Sequence, residues 1–190
     1  MEPTSFTLYL ETERLIVRPL ENEDFHLWEE GFNERLPAQY KYDSEKLNLS
    51  EWTQNMFDEV VLHHRHLAER DEQYVLAVFT KTPFRHIGMV ELATILRREF
   101  QWGSISYLIH NQFWHHGYGR EAVKAGVDIA FQKLDYHRIE AHIAPDNLPS
   151  IRLAEDVGLR FECTREHFLY EFDQWNDNSI FFLNAPSVLS

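Results

Sequence analysis

The 190-residue chain predicts a mixed α/β fold, one sheet with helices on both of its faces. Two observations carry this expectation. Strand-like and helix-like apolar patterns follow one another in the order β-α-α-β-β-β-α-β-α-β-β. One strand–helix–strand unit, residues 104–143, requires two parallel strands joined by a right-handed crossover. About seven strands are therefore expected, mostly antiparallel, with the fourth and fifth parallel.

Composition sets the outer limits. Hydrophobic residues make up 44% of the chain, enough for a real core, so one folded domain spanning residues 1–190 is expected rather than disorder. No apolar run reaches membrane-spanning length, and the start lacks a secretory pattern. A single cysteine, Cys163, allows no internal disulfide and fits a reducing compartment, so a cytoplasmic location is expected. Cys163 itself is read as a buried small hydrophobe rather than a reactive thiol. The net charge of −13 argues against nucleic acid and anionic membranes and favours a cationic partner or plain solubility.

The elements follow in order. Thr12 to Leu20 alternates polar and apolar residues and reads as a strand stopped by Pro19. Glu21-Asn22-Glu23-Asp24 gives an acidic helix start, with Phe25, Leu27, Trp28 and Phe32 recurring at helical spacing. Residues 36–48 are polar and irregular, a loop of the kind that carries substrate contacts. Ser50 is expected to cap a second helix ending near Glu69, with Trp52, Met56, Val60, Leu62 and Leu67 packing inward. Its run His63-His64-Arg65-His66 lacks the i, i+4 pairing that sets two imidazoles on one face, so a solvated basic patch is expected and no metal site.

Three strands come next, Tyr74–Phe79, Ile87–Ile95 and Gln101–Ile109, the last two joined as a hairpin. A helix starting near Gly117 shows one apolar face of Ala122, Val123, Val127, Ala130, Phe131 and Leu134, with Gly126 admitting a close neighbour. Arg138–Ile143 is the fifth strand. A helix from Leu148 to Val157 then stops at Gly158. Two strands close the chain, Leu159–Tyr170 and Ser179–Asn184, with a turn-rich connection over residues 173–178.

The stretch Phe113-Trp114-His115-His116-Gly117-Tyr118-Gly119-Arg120-Glu121-Ala122 stands between the fourth strand and the long helix. Glycines at a helix mouth let backbone amides approach a ligand, and the helix N-terminus attracts an anion such as a pyrophosphate. The same glycines also suit a plain strand-to-helix turn. Residues 116–122 after Tyr107-Leu108-Ile109 resemble the acetyl-CoA signature of the GNAT N-acetyltransferases. Residues 12–20, His137–Ala141, Pro145-Asp146-Asn147, Ser150-Ile151-Arg152, Gly158–Phe161 and Trp175 with Asp177 resemble the RimJ/RimL-like branch. Together they cover nearly the whole chain.

That resemblance implies a GNAT fold and an acetyl-CoA-dependent acyltransferase without a metal. The pantetheine arm would pair with the backbone of Tyr107, Leu108 and Ile109. The pyrophosphate would lie on the amides of His115, His116, Gly117, Tyr118, Gly119 and Arg120. Asn147 would bond the arm, and Arg120 and Lys124 are either phosphate-attracting or solvated. In two places the sequence departs from the family pattern. Trp114 stands where Arg or Gln is usual, and Ala154 stands where many members carry a Tyr that protonates the departing thiolate. Ser150 is the candidate donor in its place, or else a helix cap. Glu91 is the candidate base, ahead of Glu166 and His142, and a strand-4 amide would hold the carbonyl oxygen. The acceptor implied is a primary amine, from a peptide N-terminus, a polyamine or an aminoglycoside. A non-catalytic acyl-CoA sensor, another acyl group and a homodimer all stay open.

Overall fold

The computed structural model describes residues 8–171 and 173–186. Its strands are β1 (Leu10–Glu11), β2 (Leu15–Arg18), β3 (Gln73–Lys81), β4 (Phe84–Leu96), β5 (Trp102–Ile109), β6 (Arg138–Ile143), β7 (Arg160–Glu171) and β8 (Gln174–Asn184). Helices α1 (Phe25–Asn33) and α2 (Gln54–Glu69) precede β3, α3 (Tyr118–Gln132) links β5 to β6, and α4 (Leu148–Asp156) links β6 to β7. The sheet order is β1-β2-β3-β4-β5-β6-β8-β7, and every neighbouring pair is antiparallel except β5–β6.

Alternation along β3 shows how the sheet buries both faces. Leu76 and Val78 point into a core shared with α3, whereas Ala77 and Phe79 join Phe25, Trp28, Phe32, Phe57 and Val61 from α1 and α2. Gly126 lets α3 lie against the sheet: a Cβ there would come within 2.6 Å of Val90 Cγ1 and 3.3 Å of Ile105 Cδ1. The start of α1 is fixed by buried Asp24, which accepts from the Glu21 amide (2.8 Å) and from both terminal nitrogens of Arg18 (2.7 and 2.8 Å).

Several expectations are corrected. Among the described residues there are eight strands rather than about seven, because the chain folds back before β2 and pairs Leu10 with Val17. The cap of α2 is Thr53, which accepts from the Met56 amide, and not Ser50. The buried face of α2 is Phe57 and Val61, while Met56 and Leu62 are exposed, since the aromatic rings of α1 select the face. Residues 174–178 are strand rather than connection: β8 starts at Gln174 and pairs with β7 from Glu171↔Gln174 onward. Cross-strand pairing supplies what the polar side chains there do not. Cys163 is half-buried on β7. Gly158 does follow α4 in a left-handed conformation, φ 98°.

Candidate active site

The parallel pairing of β5 with β6 lasts three residues, Trp102–Ser104 opposite Arg138–Glu140. Its base is pinned by the Gln101 carbonyl, which accepts from the amides of His137 (2.7 Å) and Arg138 (3.1 Å). Beyond Ser104 the strands part, β5 following β4 and β6 following β8. Along β5 the backbone alternates. The Leu108 carbonyl faces β4, only 2.1 Å from where a Cβ on Gly88 would stand, and the His110 amide donates to Ile87 on the same side (2.8 Å). Tyr107 and Ile109 therefore present their backbone to the gap, and Leu108, expected there, does not. The Ile109 carbonyl is already engaged by the Trp114 indole N–H at 2.7 Å.

A cleft of about 600 Å³ opens at this divergence. Its lining includes Ile105, Ser106 and Tyr107 of β5, Ala141–Ala144 after the split, Asn147 and Ser150 of the α4 start, and Ala38 with residues 40–45 as an outer wall. Leu169, Glu171 and Asn178 of the β7–β8 hairpin complete the lining. Lys41 and Tyr42 reach across to Asp146, so the wall meets the turn before α4.

At the far end of β5 the chain makes two left-handed turns, His115 with φ 64° and Gly117 with φ 78°. Helix α3 starts at once, and its first intrahelical bond runs from the Glu121 amide to the Gly117 carbonyl (3.3 Å). The amides of Tyr118, Gly119 and Arg120 consequently lack an intrahelical acceptor, leaving a partial positive charge at that end. Arg14 steadies the turn. It donates to the His116 carbonyl (2.9 Å), pairs with Glu121 (2.7 Å) and lies over the Tyr118 ring. Burial alone would raise the Glu121 pKa, but bonds from Thr12 (2.5 Å) and Arg14 outweigh it and hold the carboxyl below its ordinary value. Gly119 lies against α4, where a Cβ would stand 3.3 Å from Leu153 Cδ2. His116 Nδ1 donates to the Trp114 carbonyl (2.6 Å), and Arg120 is exposed with a 3.4 Å bond to the Asp156 carbonyl.

Across the gap, Asn147 is the cap of α4, its Oδ1 accepting from the Ser150 amide (3.4 Å). The Ser150 hydroxyl is thus not the cap, and Ser150 is among the residues that line the cleft. The Ser150 carbonyl accepts from the Tyr107 phenol at 3.0 Å. Burial pushes that phenol's pKa up, so it stays protonated and able to donate. Ala154 is fully buried on the core-facing side of α4 and is not among the residues that line the cleft.

Glu91 lies one residue behind the lining. Its Oε2 accepts from Ser106 Oγ (3.1 Å), which is in the cleft, and from Gln73 (3.2 Å). His142 faces the cleft and bonds Glu140 (3.0 Å), whereas Glu166 is exposed on β7. Sequence reasoning missed the side chains of Tyr40, Tyr42, Tyr107 and Asn178. The resemblance gives Tyr107 a backbone role, whereas its phenol also reaches across to the Ser150 carbonyl beside the cleft. Among the described residues no group of His, Cys, Asp or Glu is disposed to hold a metal ion, and no helix is long and apolar enough to cross a membrane.

A gap with unpaired strand backbone along one edge and an anion-attracting helix start at one end suits an extended ligand that ends in phosphates. Comparison with known proteins is consistent with that geometry. Residues 14–160 match the family model described as an acetyltransferase (GNAT) domain. The chain is 32% identical over 126 residues to "Probable N-acetyltransferase YjcK" of Bacillus subtilis (strain 168), covering 66% of this chain and 70% of that protein. In fold it is similar to the ribosomal-protein-S5-alanine acetyltransferase from Vibrio fischeri, with 21% identity, TM-score 0.69, 93% of this chain and 96% of that one. It is also similar to Mycobacterium smegmatis RimJ in complex with CoA-disulfide, with 18% identity, TM-score 0.74, 93% of this chain and 84% of that one. The chain belongs to the GNAT family of acetyl-CoA-using acetyltransferases.

Proposed function

We propose that this chain, acting as one catalytic domain, transfers the acetyl group of acetyl-CoA to a primary amine by direct attack in a ternary complex. The observation that carries the proposal is the cleft itself, which runs from the β5–β6 split to an outer wall of Ala38 and residues 40–45. It has room for a donor along β5 and an acceptor against the wall. Acetyl-CoA supplies an activated thioester. The chain's residues hold it and move protons around it.

The backbone of Tyr107 and the amides of residues 115–120 are the proposed donor contacts, with Asn147 opposite. Ser150 is the proposed proton donor to the leaving thiolate, supported by its place in the cleft lining and by Asn147 taking the capping role at α4. Tyr107 is a second hydroxyl in the same place. Glu91 is the proposed base, working through Ser106 or a water. A peptide α-amine with a pKa near ~8 loses its proton at pH 7 for about 1 kcal/mol, against about 4–5 kcal/mol for a lysine-like amine near ~10.4. A base held one residue behind the cleft therefore favours an α-amine or a small amine of lowered pKa.

A second acceptor class is favoured by one observation. Glu45 and Glu171 both line the cleft, so a polyamine or aminoglycoside would find carboxylates on either side. Thiol release from acetyl-CoA over a panel of N-terminal peptides, polyamines and aminoglycosides tests both. Turnover with one of these classes is expected. Acetyl-CoA that binds yet releases no thiol with any of them would mark a sensor instead.

A further inference from the structure

We infer that Asp43 and Asn111 are positioning residues that tie the acceptor wall of the cleft to the turn that opens the donor loop. The inference rests on the acetyltransferase assignment only for its kinetic consequence. Its physical basis is a network that the proposed chemistry does not use.

Residues 35–53 contain no helix or strand, so the wall is held by side chains. Arg35 and Asp43 form an ion pair at 2.6 Å, with side chains only 1% and 2% exposed. The second Asp43 oxygen accepts from the Gln39 amide (2.9 Å) and from Asn111 Nδ2 (2.8 Å). Arg35 also donates to the Ser44 carbonyl (2.8 Å) and to His110 Nδ1 (3.2 Å). Asn111 reaches further along the wall, accepting from the Leu36 amide (2.8 Å) and donating to the carbonyls of Leu36 (2.9 Å) and Pro37 (3.2 Å).

Asn111 is also the first residue of the short helical turn Asn111–Phe113, which leads from β5 into the donor loop. Trp114, just after it, bonds the Ile109 carbonyl and sets its ring 5.7 Å from that of Tyr40 in the wall. The segment 111–114 therefore meets the acceptor wall through Asn111 and Trp114 and the donor edge through Trp114.

A buried ion pair is a poor way to gain stability, because desolvating both charges offsets most of their attraction. An apolar pair of similar volume would fill the same space without that desolvation. It could not fix the Gln39 amide, the Ser44 carbonyl and Asn111 in one arrangement. Orientation of the wall is what this pair provides.

Two variants test the inference by hydrogen exchange on the full chain, with and without acetyl-CoA. Arg35→Met/Asp43→Leu removes both charges together, and Asn111→Ser cuts the bridge while leaving Arg35 paired should the double variant fail to fold. In either variant the amides of residues 36–45 are expected to exchange at least about tenfold faster than in the unaltered chain, with exchange in β3 and α3 unchanged. In the unaltered chain acetyl-CoA slows exchange in 36–45, and in the variants it does not. With an acceptor from the panel, the amine KM rises about tenfold while the acetyl-CoA Kd moves less than about threefold. Unchanged protection of 36–45 in a folded variant overturns the inference. Failure of acetyl-CoA to bind the unaltered chain overturns the acetyltransferase assignment instead, and leaves the loss of protection without ligand as the measure of positioning.

Discussion

Lowering the pH from 7 to 5 is expected to cost the fold about 4 kcal/mol, most of it at the buried His86–His110 pair. His86 is 2% exposed and His110 fully buried, joined at 3.3 Å. Burial lowers the His86 pKa to about 4. Burial first, and then the neighbouring His86 and Arg35, lower that of His110 to about 2. In the unfolded chain both titrate near ~6.5. Below that pH the unfolded chain binds protons that the folded chain refuses, so stability falls as pH falls, and for His86 the loss is complete only below about 4. By pH 5 each histidine has forfeited about 2 kcal/mol. His64, also lowered by burial, acts in the same direction. Carboxylates with depressed values, such as Glu140 and Asp71, lose their contribution only below the unfolded carboxylate range near ~4, outside this window. Urea unfolding at pH 7, 6 and 5 measures the effect. His86→Gln keeps an acceptor for His110 but does not titrate, so the loss between pH 7 and 5 should be about halved. Equal stability at pH 7 and 5, or an unchanged slope in the variant, would refute the reasoning.

Two further outcomes follow from packing and site geometry. Gly126→Val is expected to destabilise the chain by about 1–3 kcal/mol, because its side chain enters space held by Val90 and Ile105, and urea titration reads the change. Ser150→Ala should lower kcat well before it alters acetyl-CoA affinity, and equal rates in both proteins would remove Ser150 from the proposed chemistry.

Local pattern made the centre of the fold legible. The apolar face of α3, the need for a small residue at Gly126 and the β5–β6 crossover were all visible as periodicity and spacing. What escaped was decided between elements. The buried face of α2 is chosen by the rings of α1, one residue away from the face that Met56 and Leu62 suggested. The polar run 174–178 becomes strand because β7 lies beside it. At the site, Gly117 stands out by its place at a helix mouth, and Ser150 and Asn147 only through the resemblance to the GNAT family, whereas the gap-facing side of Tyr107 follows from strand register with β4. The tie from Asp43 to Asn111 joins residues 68 positions apart that carry no shared pattern, so nothing in the sequence announces it.

The central claim is that the split between β5 and β6, with the start of α3, holds acetyl-CoA. Thermal unfolding with and without acetyl-CoA tests it most directly. At a hundredfold excess over Kd a ligand adds about 2.7 kcal/mol, which in a chain of this size raises Tm by about 5–10 °C. Gly119→Trp, where even a Cβ meets Leu153 at 3.3 Å, is expected to melt cooperatively and show no such rise. If saturating acetyl-CoA leaves the Tm of the unaltered chain where it was, the account is contradicted.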